Sequence, residues 1–171
     1  MNVKLVLLKA EDEEQFIKDN QTAFNFGAEQ YFNKEELEKQ YEEEEQIISR
    51  KTIIDSIHYK NAVAYRIIAD NQIVGGVVIV VNGEEGELEL LFVNPSCHSK
   101  GVGQAAWKEI ERLYPDVKLW ETYTPYFEKK NLHFYINKLG FNVVEYFNEK
   151  HRGSMHNLDM TDMFRFQKII K

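Results

Sequence analysis

The sequence predicts an α/β fold of the α+β kind: a single mixed, mostly antiparallel twisted sheet of about six to seven strands flanked by helices. Three observations carry this reading. Residues 63–68 and 87–93 run in two-residue alternation on either side of the stretch 73–81, with two-residue turns between the three, as consecutive strands do. Residues 101–114 and 132–139 carry apolar residues at helical spacing between later strand candidates. No repeat or linker divides the chain, so 1–171 is read as one domain.

Residues 3–8 form a β-branched and leucine run suited to a first strand, and 11–26 then space Phe16, Ile17, Phe24 and Phe26 as a helix would. Asn33 followed by Glu36 resembles a capping box that opens a second helical region. Ser49 caps the next helix, whose Ile53, Ile54 and Ile57 share one buried face against the sheet. Between these, the glutamates of 42–45 read as a solvated helix face, the functional alternative being a patch that draws in a cationic amine.

In the strand region Val63, Tyr65 and Ile67 alternate with Ala64, Arg66 and Ile68. Asp70-Asn71 turns the chain into 73–81, and Asn82-Gly83 tolerates the positive φ of a turn before 87–93. Ala105, Ala106, Ile110 and Leu113 mark a helix, 117–123 a strand, and Leu132, Tyr135, Ile136 and Leu139 a further helix after Pro125, ended by Gly140. Residues 141–147 and 163–170 are two more strands, joined by a polar loop over 148–162 that contains His151, Arg152 and His156.

A net charge of −7 speaks against a general nucleic-acid surface or binding to an anionic membrane, both of which require clustered Lys and Arg. No apolar run approaches the ~20 residues that span a bilayer, and residues 1–10 lack a cleavage-site pattern, so a cytoplasmic location is expected. The one cysteine, Cys97, forms neither an intramolecular disulfide nor a cysteine-based metal site, and no metal is expected. Oligomeric state stays open.

The most informative stretch is Val93-Asn94-Pro95-Ser96-Cys97-His98-Ser99-Lys100-Gly101-Val102-Gly103-Gln104, in which a strand ends, a loop turns and two glycines open a helix. First-turn amides lack intrahelical partners, the helix dipole adds positive charge, and glycines let a diphosphate approach the backbone. His98 and Lys100 are placed to add charge-assisted hydrogen bonds. A dinucleotide fingerprint fits less well despite Glu121 about twenty residues later, because a loop separates strand from glycines and the preceding strands form an antiparallel meander.

Val93, Pro95, His98, Gly101 and Gly103 fall on the Val-x-Pro-x-x-Arg/Gln-x-x-Gly-x-Gly/Ala signature of the GNAT superfamily of N-acetyltransferases, with His98 where Arg or Gln is usual. Residues 131–141, running from Asn131 through Phe134-Tyr135 to Gly140-Phe141, resemble a second segment of that family. Tyr135 stands five residues before Gly140 where many members have four, so the helix end accommodates an extra residue. The resemblance covers 62–170.

It implies acetyl-CoA as co-substrate, with pantetheine beside Leu91 and Val93 on a strand that splays from its neighbour. It also implies pyrophosphate contacts from Ser99, Lys100, Gly101, Val102, Gly103 and Gln104, and a cofactor contact or helix cap from Asn131. Transfer to a primary amine needs a base and an acid. Tyr135 is the acid the resemblance supplies. For the base, Glu87 matches a position some members use, and Glu89 shares its strand face by the two-residue period, opposite Leu88, Leu90 and Phe92. Phe24, Phe26, Tyr31 and Phe32 are candidates for an acceptor pocket, although ordinary core packing is the preferred account of them. A non-catalytic acyl-CoA-binding module and a structural interaction protein are the competing function classes.

Overall fold

The computed structural model describes residues 1–155, 158–160 and 162–171; His156 of the polar loop lies outside them. In chain order the elements are β1 (Val3–Leu7), α1 (Glu13–Glu29), α2 (Lys34–Glu38), α3 (Arg50–Ile57), β2 (Ala62–Ala69), β3 (Gln72–Asn82) and β4 (Glu85–Val93). They continue with α4 (Val102–Leu113), β5 (Leu119–Pro125), α5 (Lys129–His133), β6 (Asn142–Phe147), β7 (Gly153–Met155), β8 (Leu158–Met160) and β9 (Met163–Ile169). Seven strands form one sheet in the order β1-β2-β3-β4-β5-β9-β6, antiparallel throughout except for β4 and β5. That parallel pair is joined over the sheet by α4, so β4, α4 and β5 form a βαβ unit after the meander.

Turn chemistry sets the meander. Asp70 and Asn71 both take positive φ between β2 and β3, and Gly83 does so between β3 and β4. The helix caps follow the sequence as well. Asn33 and Glu36 form the reciprocal capping box, and the Ser49 side chain accepts from the Thr52 amide at the start of α3.

Two cores sandwich the sheet. On one face Val77, Ile79, Leu88 and Trp120 pack against Ala106, Trp107 and Ile110 of α4. On the other, Val78, Leu90 and Phe92 pack against Phe16, Ile17 and Ala23 of α1 and Ile53 of α3. Arg66, buried on the α1 side of β2, is held by Asp12 at 2.6 Å and Asp19 at 2.8 Å, which offsets the cost of removing a guanidinium from water.

Three details depart from the sequence reading. The two-residue period of β4 is interrupted: Ile79 pairs Leu88 and Val78 pairs Leu90, which leaves Glu89 as the extra residue of a bulge. Leu88 therefore faces α4 while Leu90 and Phe92 face α1, so the single face expected for Glu87 and Glu89, opposite all three, does not hold. Second, the stretch 42–45 lies beyond α2, outside any helix. Its Glu42 accepts from the Ser49 amide and the Thr52 hydroxyl, and Glu43 from the Arg50 amide, so these carboxylates brace the positive end of α3. Third, the polar loop contains the short antiparallel ladder β7–β8.

Candidate active site

The site begins where β4 and β5 stop pairing. Their parallel register runs from Glu85↔Leu119 to Leu88↔Thr122 and ends there, although β4 continues to Val93 and β5 to Pro125. Each strand keeps its outer partner, since Val93 pairs Gly75 of β3 and Pro125 pairs Met163 of β9. The bulge at Glu89 falls one residue beyond the last β4–β5 pair, where the added local twist turns β4 away from its neighbour. The wedge opens a cleft of about 1010 Å³.

Of the residues singled out in the sequence, Glu87, Glu89, Leu91, Val93, His98, Ser99, Gly101, Val102, Gly103, Gln104, Asn131 and Tyr135 all line this one cleft. Lys100 is not part of the lining; its ammonium donates to the Ser96 carbonyl at 3.0 Å. Phe24, Phe26 and Tyr31 reach the cleft from the end of α1, whereas Phe32 packs on Phe127 with ring centres 4.9 Å apart. Phe26 meets the His98 ring at 5.6 Å, and the Tyr31 hydroxyl accepts from the Lys130 amide at 2.8 Å. The end of α1 thus touches both banks of the wedge.

The α4 end of the cleft is made by main chain. Ser99 and Gly101 both have positive φ, and Gly101 is the left-handed residue before α4. The Ala105 amide bonds the Gly101 carbonyl at 3.0 Å, so the amides of Val102, Gly103 and Gln104 precede the helix's own hydrogen bonds. A Cβ on Gly101 would meet nothing within 4 Å, so open space lies beside this helix end. At Gly103 a Cβ would come within 2.9 Å of the Phe134 ring, which needs that glycine for its approach. His98 bonds the Val93 carbonyl through Nε2 at 2.8 Å; a carbonyl only accepts, so this nitrogen carries the proton and braces the loop. Gln104 donates to the Lys138 carbonyl at 3.0 Å and ties α4 to the helical stretch after β5.

The opposite wall is made by side chains. After α5 the chain widens into a π-turn over Phe134–Lys138, in which the Leu139 amide reaches the Phe134 carbonyl at 3.1 Å, and Gly140 ends it at φ +80. This is the extra residue that the spacing from Tyr135 to Gly140 requires. Tyr135 is buried, with its ring centre 5.2 Å from Phe166 and 6.0 Å from Phe141. Burial first, then the negative charge of Glu128, push its phenol well above the ordinary tyrosine range, and the Thr122 hydroxyl partly opposes this. The proton stays on the phenol at neutral pH.

The sequence reading missed Glu128. It lines the cleft and accepts hydrogen bonds on Oε2 from the Asn131 side-chain amide and, at 3.2 Å, from the Thr124 hydroxyl. Burial raises its carboxyl to about 7 although both hydrogen bonds favour the charged form. The available signal was spacing, since Glu128, Asn131 and Tyr135 stand at i, i+3 and i+7 and share one helix face. Asn131, read as a cofactor contact or cap, turns its amide to Glu128 and, at 3.3 Å, to Thr124.

A mixed sheet splayed at its parallel β4–β5 pair, with first-turn amides and open space at the start of the crossover helix, defines a protein of the N-acyltransferase fold. Residues 28–141 match the acetyltransferase (GNAT) family, and the chain belongs to that family. It is 40% identical, over 99% of its length and 94% of the relative's, to the uncharacterized protein YrkN of Bacillus subtilis. Its fold is similar to that of the PaiA N-acetyltransferase of Thermoplasma acidophilum in complex with coenzyme A (TM-score 0.68, 18% identity, covering 99% of this chain and 100% of the other). It is also similar to a GNAT family acetyltransferase of Elizabethkingia anophelis with acetyl-CoA bound (TM-score 0.63, 15% identity, 99% of each chain). Among the described residues, no helix is long and apolar enough to cross a membrane.

Proposed function

We propose that this protein transfers the acetyl group of acetyl-CoA directly to a primary amine, on a small molecule, a polyamine or a peptide, within a ternary complex. One observation carries the reading: backbone anion site, open β4 edge and buried Tyr135 phenol all border one cleft. In this reading the diphosphate lies at the amides of Val102, Gly103 and Gln104, and pantetheine runs along the β4 edge at Leu91 and Val93. A backbone amide near Leu91 polarises the thioester carbonyl.

The acceptor enters as an ammonium and loses a proton before it attacks. Glu87 and Glu89 border the cleft on β4 and take this role directly or through water. The nitrogen then adds to the carbonyl carbon, the C–S bond breaks, and the departing sulfur takes the phenolic proton of Tyr135. Other residues on the wall support an acceptor at the α1 end: Phe24, Phe26 and Tyr31 offer apolar surface, and the carboxylates favour a cation.

The test is amine-dependent release of CoA thiol with a panel that includes spermidine, 2-phenylethylamine and an alanine-initiated peptide. Turnover of at least one amine, reduced in either Glu87→Gln or Glu89→Gln, is expected and names the base. Saturable acetyl-CoA binding with no turnover of any amine favours the non-catalytic module instead.

A further inference from the structure

Acetyl transfer to an ammonium leaves two protons without a route. The tetrahedral intermediate still carries a positively charged nitrogen that must lose a proton, and Tyr135 ends as a phenolate that must regain one. Glu128 stands where one carboxyl serves both needs. It stands between β5 and α5, seven residues ahead of Tyr135 in the π-turn, and both residues line the cleft. Its Oε2 is anchored by Asn131 and Thr124, while Oε1 accepts no hydrogen bond among the described residues.

We propose that Glu128 is the proton partner of Tyr135, taking a proton from the nitrogen of the intermediate and returning it to the phenolate. This rests on the acetyl-transfer reading above. The balance closes. The incoming ammonium gives its first proton to a β4 carboxylate and then to solvent. The tetrahedral nitrogen gives its second to Glu128, the sulfur leaves with the phenolic proton, and Glu128 reprotonates Tyr135. The products are the acetamide, CoA thiol and one released proton, with Glu128 and Tyr135 as they began.

The electrostatics favour that order. An ionised Glu128 raises the phenol, so Tyr135 holds its proton while the acceptor binds. Once Glu128 is protonated that opposition vanishes and the phenol becomes a better donor to sulfur. A carboxyl raised to about 7 by burial accepts and releases protons on comparable terms near neutral pH. The titratable groups lining the same cleft are Glu87 and Glu89 from β4, Cys97 and His98 from the loop after it, Tyr123 from β5, Tyr31 and Glu42 from the chain between α1 and α3, Lys130 and His133 from α5, Lys138 from the π-turn and Tyr135 itself.

The experiment compares wild type, Glu128→Gln and Glu128→Asp in the full chain. Thiol release with the three amine probes is followed from about pH 5.5 to about pH 9, alongside acetyl-CoA affinity. The glutamine keeps an oxygen for Asn131 and Thr124 but neither takes up nor releases a proton near neutral pH. It is expected to lower kcat about 30-fold, leave acetyl-CoA affinity within about twofold, and remove the rise of kcat with pH near 7. Aspartate retains that rise at a reduced kcat. Wild-type kcat and an unchanged pH profile in Glu128→Gln would overturn the proposal.

A second readout needs no acceptor. The carbon-13 carboxyl signal absent from Glu128→Gln must titrate near neutrality in the wild type, and the Tyr135 phenol must titrate lower in the variant. A Glu128 signal that titrates with the exposed glutamates would overturn the proposal whatever the turnover data give. Failure of wild type to acetylate any amine, with that titration intact, would strike the underlying reading instead.

Discussion

The two banks of the cleft are built by different means. The β4–α4 bank is main chain: positive φ at Ser99 and Gly101, the amides ahead of the Ala105–Gly101 hydrogen bond, and a strand edge freed from its neighbour. The β5–α5 bank is side chain: Thr124, Glu128, Asn131 and the buried Tyr135, ordered by a π-turn. A main-chain bank presents fixed dipoles that no side-chain titration removes, which suits a permanently anionic diphosphate. A side-chain bank, where burial shifts proton affinities, suits the end at which protons move.

The largest effect expected from breaking this division is on the main-chain bank, at Gly103. A Cβ there already meets Phe134 at 2.9 Å, so Gly103→Trp drives an indole between the two banks. Acetyl-CoA affinity should fall about 100-fold in calorimetry while circular dichroism reports a folded chain. Full affinity would place the diphosphate elsewhere.

Tyr135→Phe separates the banks from the other side. The ring stays packed on Phe141 and Phe166 while the proton is lost, so kcat should fall about 50-fold with acetyl-CoA affinity within about threefold. Unchanged kcat at saturation would remove Tyr135 from the acid role.

Glu128 sharpens the contrast through stability. Its folded carboxyl is raised to about 7, so in the native chain it ionises later than in the unfolded one. A raised group contributes stability that is full below the unfolded value and is lost as pH rises through the folded value. Glu128→Gln should therefore be more stable than wild type by about 2 kcal/mol at pH near 8.5, with no gain at pH near 4. Urea unfolding at the two pH values checks this, and a gain of equal size at both would remove the charge explanation.

The smallest effect is expected at Lys100. Its ammonium serves the Ser96 carbonyl and lies outside the cleft lining, so Lys100→Ala should change acetyl-CoA affinity by no more than about threefold. A tenfold loss would show that side-chain charge shares the binding of the diphosphate with the backbone amides.

The same division decided what the sequence could tell. The main-chain bank was legible in part because its turn is written in residue type, with Pro95 after the strand's end and Gly101 at the left-handed corner before α4, whereas Gly103, read as room for a diphosphate, gives room to the Phe134 ring. The meander was legible from Asp70-Asn71 and Asn82-Gly83 and from period-two alternation. The β4 bulge was not, because Glu89 continues the alternation in sequence while the pairing of Ile79 with Leu88 and Val78 with Leu90 breaks it in register. Glu128 escaped for a related reason. A glutamate between Phe127 and two lysines reads as surface, and only the folding of β5 beside α5 buries it. The π-turn lies between these cases, since one extra residue before Gly140 announced it without giving its hydrogen-bond pattern.

The proposed placement of acetyl-CoA is tested most directly by calorimetric titration of the folded wild-type protein with acetyl-CoA, and with desulfo-CoA as a ligand that cannot react. Saturable one-to-one binding of both is predicted, because the proposed diphosphate and pantetheine contacts do not involve the sulfur. Absence of saturable binding by either ligand in a folded protein would contradict the placement of acetyl-CoA in this cleft.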